Sequence, residues 1–302
     1  YSLVSDDDVL AIRAYLANLA PIRSPATENT LIFPFNQRYL MRSWKLLFLS
    51  NRRFELDTSR SESWNSGAYL ARALAHCGEC HTPRNPAFGL DNRRKFAGAA
   101  YGWLAYNITS DRGTGIGSWS DDEVFAYLAK GHTTGRGTAS GPMGEVVDHS
   151  LSLMDPADIR ALVTYLRSIP AVASSEPATI APPAPASPKE GGAVADVLGR
   201  KVFEQACASC HSWTGVSALS PFATISGSRA VNDPTATNVA QIVISGTRRF
   251  TPPGAMSMPA FGSTYSDTEI AAVANYVTGR FGSAASKLTA KDVWELRGQT
   301  AH

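Results

Sequence analysis

The sequence contains no long apolar run, and none of its stretches approaches the roughly 18 consecutive apolar residues that a membrane helix needs. Its net charge is only +2 over 302 residues, which argues against nucleic acid as the main partner. Neither a signal peptide nor an initiating methionine is present, so we interpret Tyr1 as a processed or truncated beginning. The period-two alternation typical of strands is scarce. A composition that is 44% hydrophobic and 18% charged is ordinary for a globular chain, and the scarcity of strand patterns predicts a mainly α fold.

Cysteine is scarce too, but its placement is informative. The four cysteines form two C-x-x-C-H motifs, Cys77-Gly78-Glu79-Cys80-His81 and Cys207-Ala208-Ser209-Cys210-His211. This motif is the attachment signature of c-type haem. Two cysteines at this spacing can reach both vinyl groups of one haem, and the histidine then lies beneath the iron as its proximal ligand. No cysteine remains for a disulfide, and the sequence predicts two covalent haems.

Two other kinds of site use a C-x-x-C pair. A zinc site would need two further ligands near each pair, and apart from the histidines of the motifs themselves the six histidines supply no H-x₃₋₅-H partner. A thioredoxin-like redox pair would lie in a βαβ pattern, which the sequence does not show. Covalent haem therefore explains both motifs better than either alternative.

Three segments of the chain resemble one another, at residues 5–16, 155–166 and 266–277. Each opens with a capping residue followed three positions later by an acid, and each continues with apolar residues at helical spacing. The second and third copies follow a haem motif and a methionine. The first copy has no motif before it, so we interpret residues 1–22 as the last helix of an incomplete N-terminal cytochrome c domain. An ordinary N-terminal helix is the alternative.

The remaining organisation follows from the motifs and from composition. Residues 23–60 form a connector, whose apolar helix is expected to lie buried between domains; a surface that docks a partner is the alternative. Residues 61–170 and 193–283 form two haem domains, each with a helix leading into its first cysteine. Residues 171–192 are rich in Pro and Ala, which predicts an extended linker. Residues 284–302 form a tail whose short helix either packs on its own domain or presents Trp294 to a partner or to the membrane surface.

The second axial ligand of each iron has several candidates. Met143 and Met258 each follow a haem motif, precede the domain's last helix and have Pro and Gly nearby, which favours a loop folded over the haem. Met256 is an alternative to Met258, and His132 or His149 could bind the first iron. Ligation by His and Met raises the reduction potential above that of haem with two histidine ligands. It also fills both axial positions of the iron, which favours electron relay over catalysis.

The surroundings of the first motif carry a more specific signal. They comprise Phe33-Pro34-Phe35-Asn36-Gln37-Arg38, Gly67-Ala68-Tyr69-Leu70, Thr82-Pro83-Arg84-Asn85, Trp103, Asn107-Ile108-Thr109, Gly115-Ile116-Gly117-Ser118-Trp119 and Gly141-Pro142-Met143. With these residues the chain resembles the triheme cytochrome c subunit of bacterial membrane-bound dehydrogenases. The resemblance covers essentially the whole chain and is strongest over residues 31–170. It implies an all-α fold of tandem class I cytochrome c domains with long loops around covalent haem.

The resemblance also implies roles for individual residues. Members of this family have three cytochrome domains, and this chain matches the second, the third and the final helix of the first. A third haem is therefore expected in a full-length N-terminal domain. The resemblance supports Met143 and Met258 as sixth ligands. It further suggests that Pro83 orients the first motif's histidine, and that Arg84 or Trp119 contacts a haem propionate.

The function implied by the resemblance is a non-catalytic electron relay. A dehydrogenase catalytic subunit of flavin, quinone-cofactor or molybdenum type, with flavin favoured, would oxidise the substrate. The haems would pass its electrons to ubiquinone or a terminal oxidase, on the periplasmic face of the inner membrane and with peripheral membrane association. Two other functions stay open from the sequence alone. One is a dihaem cytochrome c peroxidase, which needs one iron with a displaceable ligand, and the other is a free-standing periplasmic carrier.

Overall fold

A computed structural model describes residues 1–174, 197–251 and 254–300. Its helices surround two separate apolar cores, one drawn from residues 68–169 and the other from residues 202–296. Each core is enclosed by the same succession of elements. A helix leads into the cysteine motif, loops and short helices follow, and a longer helix closes the unit. We call these the first and second haem units.

The N-terminal segment lies against the first unit. It contains helices α1 (Asp6–Ala17) and α2 (Leu40–Phe48), neither of which has a buried residue. Ser5 caps α1, and the Tyr69 hydroxyl accepts a hydrogen bond from the Ser5 backbone at 3.0 Å. Trp44 of α2 donates its indole N–H to the Ala87 carbonyl at 2.7 Å. The connector helix was expected to be buried between domains, but Leu46 is 87% exposed. Only one face of α2 has a neighbour within the described chain.

The first haem unit begins with α3, continues through a π-helical turn and ends with α7. The π-helical turn, Leu70–Leu74, leads directly toward Cys77. In chain order the labelled elements are α3 (Glu62–Tyr69), α4 (Gly78–His81), β1 (Ala99–Ala100), β2 (Leu104–Ala105), α5 (Asp121–Lys130), β3 (His132–Thr133), β4 (Gly137–Thr138), α6 (Gly141–His149) and α7 (Pro156–Arg167). The four strands form two antiparallel pairs, β1 with β2 and β3 with β4.

The first and last helices of this unit cross at a glycine. A Cβ atom at Gly67 would overlap the Ala161 backbone carbonyl of α7 and would lie 3.0 Å from the Cβ of Tyr165. Glycine therefore permits the helix that delivers the cysteine motif to approach α7 backbone to backbone. Leu162 and Ile159 of α7 are fully buried in the core beside this crossing.

The second haem unit repeats this plan. Its elements are α8 (Val197–Val202), a π-helical turn (Phe203–Cys207), α9 (Ala208–His211), α10 (Arg229–Asn232), α11 (Thr237–Ser245), β5 (Thr247–Thr251), β6 (Gly254–Met258), α12 (Asp267–Phe281) and α13 (Ala290–Thr300). Gly199 of α8 meets the Ala272 backbone and the Cβ of Tyr276 in α12, as Gly67 meets α7. The recurrence of glycine and tyrosine at both crossings confirms that the units share one architecture.

Several expectations about the chain's organisation can now be compared with the structure. The fold is mostly helical, as predicted, and its few strands are short; the longest pair, β5 with β6, covers five residues on each strand. The predicted linker lies outside the described residues from position 175 onward. The tail helix α13 buries Val293 and Leu296 and leaves Trp294 67% exposed. Within the described residues, no helix has the length and apolarity needed to cross a membrane.

Candidate haem centres

Each cysteine motif forms a single short helical turn at the edge of its core. In the first unit, the backbone N–H of His81 donates to the Cys77 carbonyl at 3.0 Å. Cys77 is half-buried and packs on the first core, whereas Cys80 is exposed. Cys207 and Cys210 repeat this arrangement against the second core. In both motifs the first sulfur is sheltered and the second faces outward.

The histidines of both motifs are held by a backbone carbonyl. The Nδ1 of His81 lies 2.6 Å from the Tyr106 carbonyl oxygen, and the Nδ1 of His211 lies 2.6 Å from that of Ala223. A carbonyl only accepts hydrogen bonds, so each Nδ1 must carry the proton and the Nε2 keeps its lone pair for a metal. Burial lowers the pKa of both imidazoles and favours this neutral form. The Pro83 carbonyl instead accepts the Asp91 N–H, so Tyr106, not Pro83, supplies the acceptor.

The first thiol of each motif lies in apolar surroundings. Burial raises the pKa of Cys77 and of Cys207 to about 11, so each of these sulfurs is uncharged when it has no partner. A thioether to a haem vinyl group is uncharged and suits the same apolar surroundings. Across residues 1–174, 197–251 and 254–300, no three His, Cys, Asp or Glu side chains group in a way that could hold a metal ion. Covalent haem therefore fits both motifs.

Each predicted methionine ligand packs on the apolar core of its own haem unit. Met143 stands in the first turn of α6, half-buried against the apolar core that Cys77 also contacts. Met258 ends β6 and packs on the core that Cys207 contacts. Each unit therefore brings its predicted sulfur to the core that holds its cysteine motif, and Met154 packs on the first core as well. Iron ligation by Met143 and Met258 stays a prediction.

The structure also places the three alternative iron ligands, Met256, His149 and His132. Met256 lies on the same face of β6 as Met258, but its sulfur accepts a hydrogen bond from the Ser220 hydroxyl at 2.9 Å. His149 is exposed at the end of α6. The ring of His132 packs on Phe222 of the second unit. These contacts make Met258 the more available sulfur and give no support to His149. The Nε2 of His132 is buried without a hydrogen-bond partner among the described residues, so His132 stays an alternative ligand for the first iron.

The two residues predicted to contact a haem propionate, Trp119 and Arg84, differ in whether they already have hydrogen-bond partners. The indole N–H of Trp119 is buried and has no hydrogen-bond partner among the residues that the structure describes. A buried donor without an acceptor is costly, and an anionic propionate would satisfy it. Arg84 instead pairs with Glu79 at 2.9 Å and donates to the Phe88 carbonyl at 3.1 Å. Trp119 therefore fits the predicted contact, and the contact of Arg84 stays a prediction.

Sequence reasoning missed the residues that support the ligands. The carbonyls of Tyr106 and Ala223 orient the histidines, but a carbonyl is common to every residue and leaves no signature. Arg229 of the second unit also escaped notice. Its guanidinium lies 4.3 Å from the ring centroid of Tyr106 and donates to the Asn107 carbonyl at 3.2 Å. The second unit thus braces the loop that orients His81.

The fold and the two sites together define a c-type cytochrome with repeated haem units. Residues 195–277 match the family described as cytochrome c oxidase, cbb3-type, subunit III. Over 98% of its length the chain is 32% identical to the gluconate 2-dehydrogenase cytochrome c subunit of Pantoea cypripedii, of which it covers 70%. The chain belongs to the family of cytochrome c subunits of dehydrogenases, and its cofactor is covalent haem c.

Two further relatives also match nearly the whole length of this chain. The chain is 34% identical over 98% of its length to the fructose dehydrogenase cytochrome subunit of Gluconobacter japonicus, of which it covers 65%. It is 27% identical to the cytochrome c subunit of the quinone alcohol dehydrogenase of Gluconacetobacter polyoxogenes, of which it covers 66%. The chain thus spans about two thirds of the length of these relatives.

Proposed function

We propose that this chain is the electron-relay part of a dehydrogenase complex and performs no substrate chemistry itself. The observation that carries this proposal is the repetition of one complete ligand set in two units. Each set has two cysteines, a histidine oriented through its Nδ1 and a sheltered methionine. Bound haem iron would supply one-electron chemistry. The protein's part is to hold the ligands still and to shelter the site from water.

The proposed stoichiometry is two covalent haems in residues 61–283, within domains bounded as the sequence predicts. We further propose His81 with Met143, and His211 with Met258, as the axial pairs. A third haem would belong to an N-terminal cytochrome domain whose last helix is α1. The exposed apolar side chains of α1, such as Leu10 and Tyr15, agree with a helix made to pack on such a domain.

The proposed partner is a catalytic subunit that oxidises an alcohol, a sugar or a sugar acid. The names of the relatives, which include fructose, gluconate and alcohol dehydrogenases, support this class of substrate. A flavin type is favoured among flavin, quinone-cofactor and molybdenum subunits, and ubiquinone or a terminal oxidase would accept the electrons. We place the complex at the periplasmic face of the inner membrane, with peripheral membrane association.

The first experiment tests the covalent attachment. The purified protein is denatured, extracted with acidified organic solvent and assayed for haem as the pyridine complex. We expect two haems per chain over residues 61–283 to stay with the polypeptide. Cys80→Ser should weaken attachment in the first unit alone, and Cys210→Ser in the second alone. Extraction of all haem from the unmodified protein would refute the proposed function.

The second experiment tests the relay. The holoprotein is mixed with each candidate dehydrogenase and its substrate, and haem reduction is followed by stopped-flow absorption. We expect reduction that depends on both the dehydrogenase and its substrate. The same protein should show no peroxidase activity and a low-spin six-coordinate spectrum in both redox states. Haem that is reduced by no such partner would exclude the relay role.

A further inference from the structure

One buried ion pair joins the two segments that carry the candidate sulfur ligands. Arg249 of β5 reaches out of the second unit and lies 3.0 Å from the Asp148 carboxylate of α6 in the first. The side chains of Arg249 and Asp148 are only 4% and 5% exposed. Among the ion pairs within the described residues, this is the one with both partners this deeply buried.

The guanidinium of Arg249 is also held by backbone groups of the first unit. It donates to the Gly144 carbonyl at 2.8 Å and to the Lys130 carbonyl at 3.2 Å. Gly144 directly follows Met143, so one of these bonds anchors the turn that carries this sulfur. Gly131 makes room for the arginine, because a Cβ atom there would overlap the guanidinium.

The other end of the arginine is fixed to the hairpin of the second unit. Arg249 pairs with Met256 across β5 and β6, and Thr247 pairs with Met258. A shift of Arg249 along its strand would therefore move the partner strand that ends in Met258. The side chain of Arg249 therefore connects the two segments that carry the candidate sulfur ligands, α6 and the β5–β6 hairpin.

We propose that Arg249 and Asp148 are a positioning pair that couples the two distal ligands, so that Met143 and Met258 are held or released together. This inference rests on the proposed function, because it takes both methionines as iron ligands. A charge left buried without its partner is unstable, so loss of either residue should loosen both segments. An ion pair that only stabilised one unit would have no effect on the other unit's sulfur.

The test measures how easily an added ligand displaces each methionine. Imidazole is titrated into the oxidised holoprotein, and the two paramagnetically shifted thioether methyl signals are followed by NMR in the same oxidised state. Met143→His and Met258→His assign the signals to the two haems. Asp148→Asn and Arg249→Met should each raise imidazole affinity roughly tenfold at both haems, because breaking a buried pair shifts such equilibria strongly. Each variant thus has a predicted effect in the unit that it does not belong to.

The matched control is Glu123→Gln, which breaks a pair lying wholly within the first unit. Glu123 lies 3.1 Å from Arg136, whose side chain is 8% exposed. This variant should leave imidazole affinity at the Met258 haem within twofold of the unmodified protein. A change confined to the Met143 haem in Asp148→Asn, and to the Met258 haem in Arg249→Met, would overturn the coupling.

A milder variant keeps the proposal testable should the others fail to fold. Arg249→Lys retains the charge beside Asp148 but lacks the fork that reaches two carbonyls. We expect imidazole affinity to rise about threefold at both haems, and an unchanged Met143 haem would count against the proposal. The absence of covalent haem from the unmodified protein would instead reject the proposed function. The two failures are therefore distinct.

Discussion

Replacing Gly67 by alanine tests whether the helix crossing holds the first haem unit together. The added Cβ would overlap the Ala161 backbone, lying 2.5 Å from its carbonyl carbon. Because the obstacle is backbone and not a flexible side chain, α3 and α7 must move apart. Overpacking in a core costs about 1–3 kcal/mol, and a backbone clash belongs at the upper end of that range. We therefore expect Gly67→Ala to destabilise the unit by about 3 kcal/mol.

The loss of stability is measured as a fall in Tm, by thermal unfolding of the holoprotein followed with circular dichroism and calorimetry. If the first unit unfolds alone, as a domain of roughly 100 residues, about 3 kcal/mol lowers its Tm by roughly 12–24 °C. If the two units unfold as one body, the same energy lowers a single Tm by about 6–12 °C. Gly199→Ala should produce the corresponding effect from the second unit, because Gly199 faces Ala272 in the same way.

The matched control is Gly298→Ala. Gly298 lies in α13 with nothing within 4 Å of the position a Cβ would take, so alanine should leave stability unchanged or raise it by up to about 1 kcal/mol. If Gly67→Ala changed Tm by less than about 2 °C, the close crossing would not be a determinant of stability and this reasoning would fail.

Three further changes have defined outcomes. Arg229→Gln should lower the reduction potential of the first haem by about 1 kcal/mol per electron, because the cation over Tyr106 favours the reduced haem, which carries one positive charge fewer. Arg229→Lys should produce a smaller shift. A potentiometric titration measures both potentials. Hydrogen bonds from the Thr114 N–H and hydroxyl lower the pKa of Asp111. Its stabilising contribution is present above the ordinary value of 3.8 and is lost as pH falls, so Asp111→Asn should flatten the acid limb of stability against pH. Ser266→Ala removes the capping box of α12 and should cost about 1 kcal/mol in urea unfolding.

Local sequence signals predicted the elements that carry the cofactor chemistry. Ser5, Asp155 and Ser266 cap helices where the sequence predicts them. The cysteine motifs follow helices as expected, although both helices end in π-helical turns. These features depend on residues close in sequence, and each leaves a recognisable pattern of caps, periodicity or spacing.

The features that escaped prediction depend on contacts between residues far apart in the chain. The carbonyls of Tyr106 and Ala223 reach histidines 25 and 12 positions away. Arg249 and Asp148 are 101 positions apart, and nothing in their local sequence distinguishes them from surface charges. The β5–β6 hairpin lacks apolar alternation because its buried position is taken by the charged Arg249, whereas Phe250 is exposed. Tertiary contacts therefore decide these features, and local propensity does not.

The way in which the ligands are held favours a relay over a peroxidase. A peroxidase needs one sulfur-bearing segment that can leave its iron, whereas Arg249 fixes α6 and the β5–β6 hairpin to each other through a buried ion pair. Each proximal histidine is likewise tied to a carbonyl at 2.6 Å. Groups fixed in this way need little rearrangement when the charge at the site changes. A molecule built to pass single electrons benefits from such rigidity at both units, while a catalyst would need at least one of them to open.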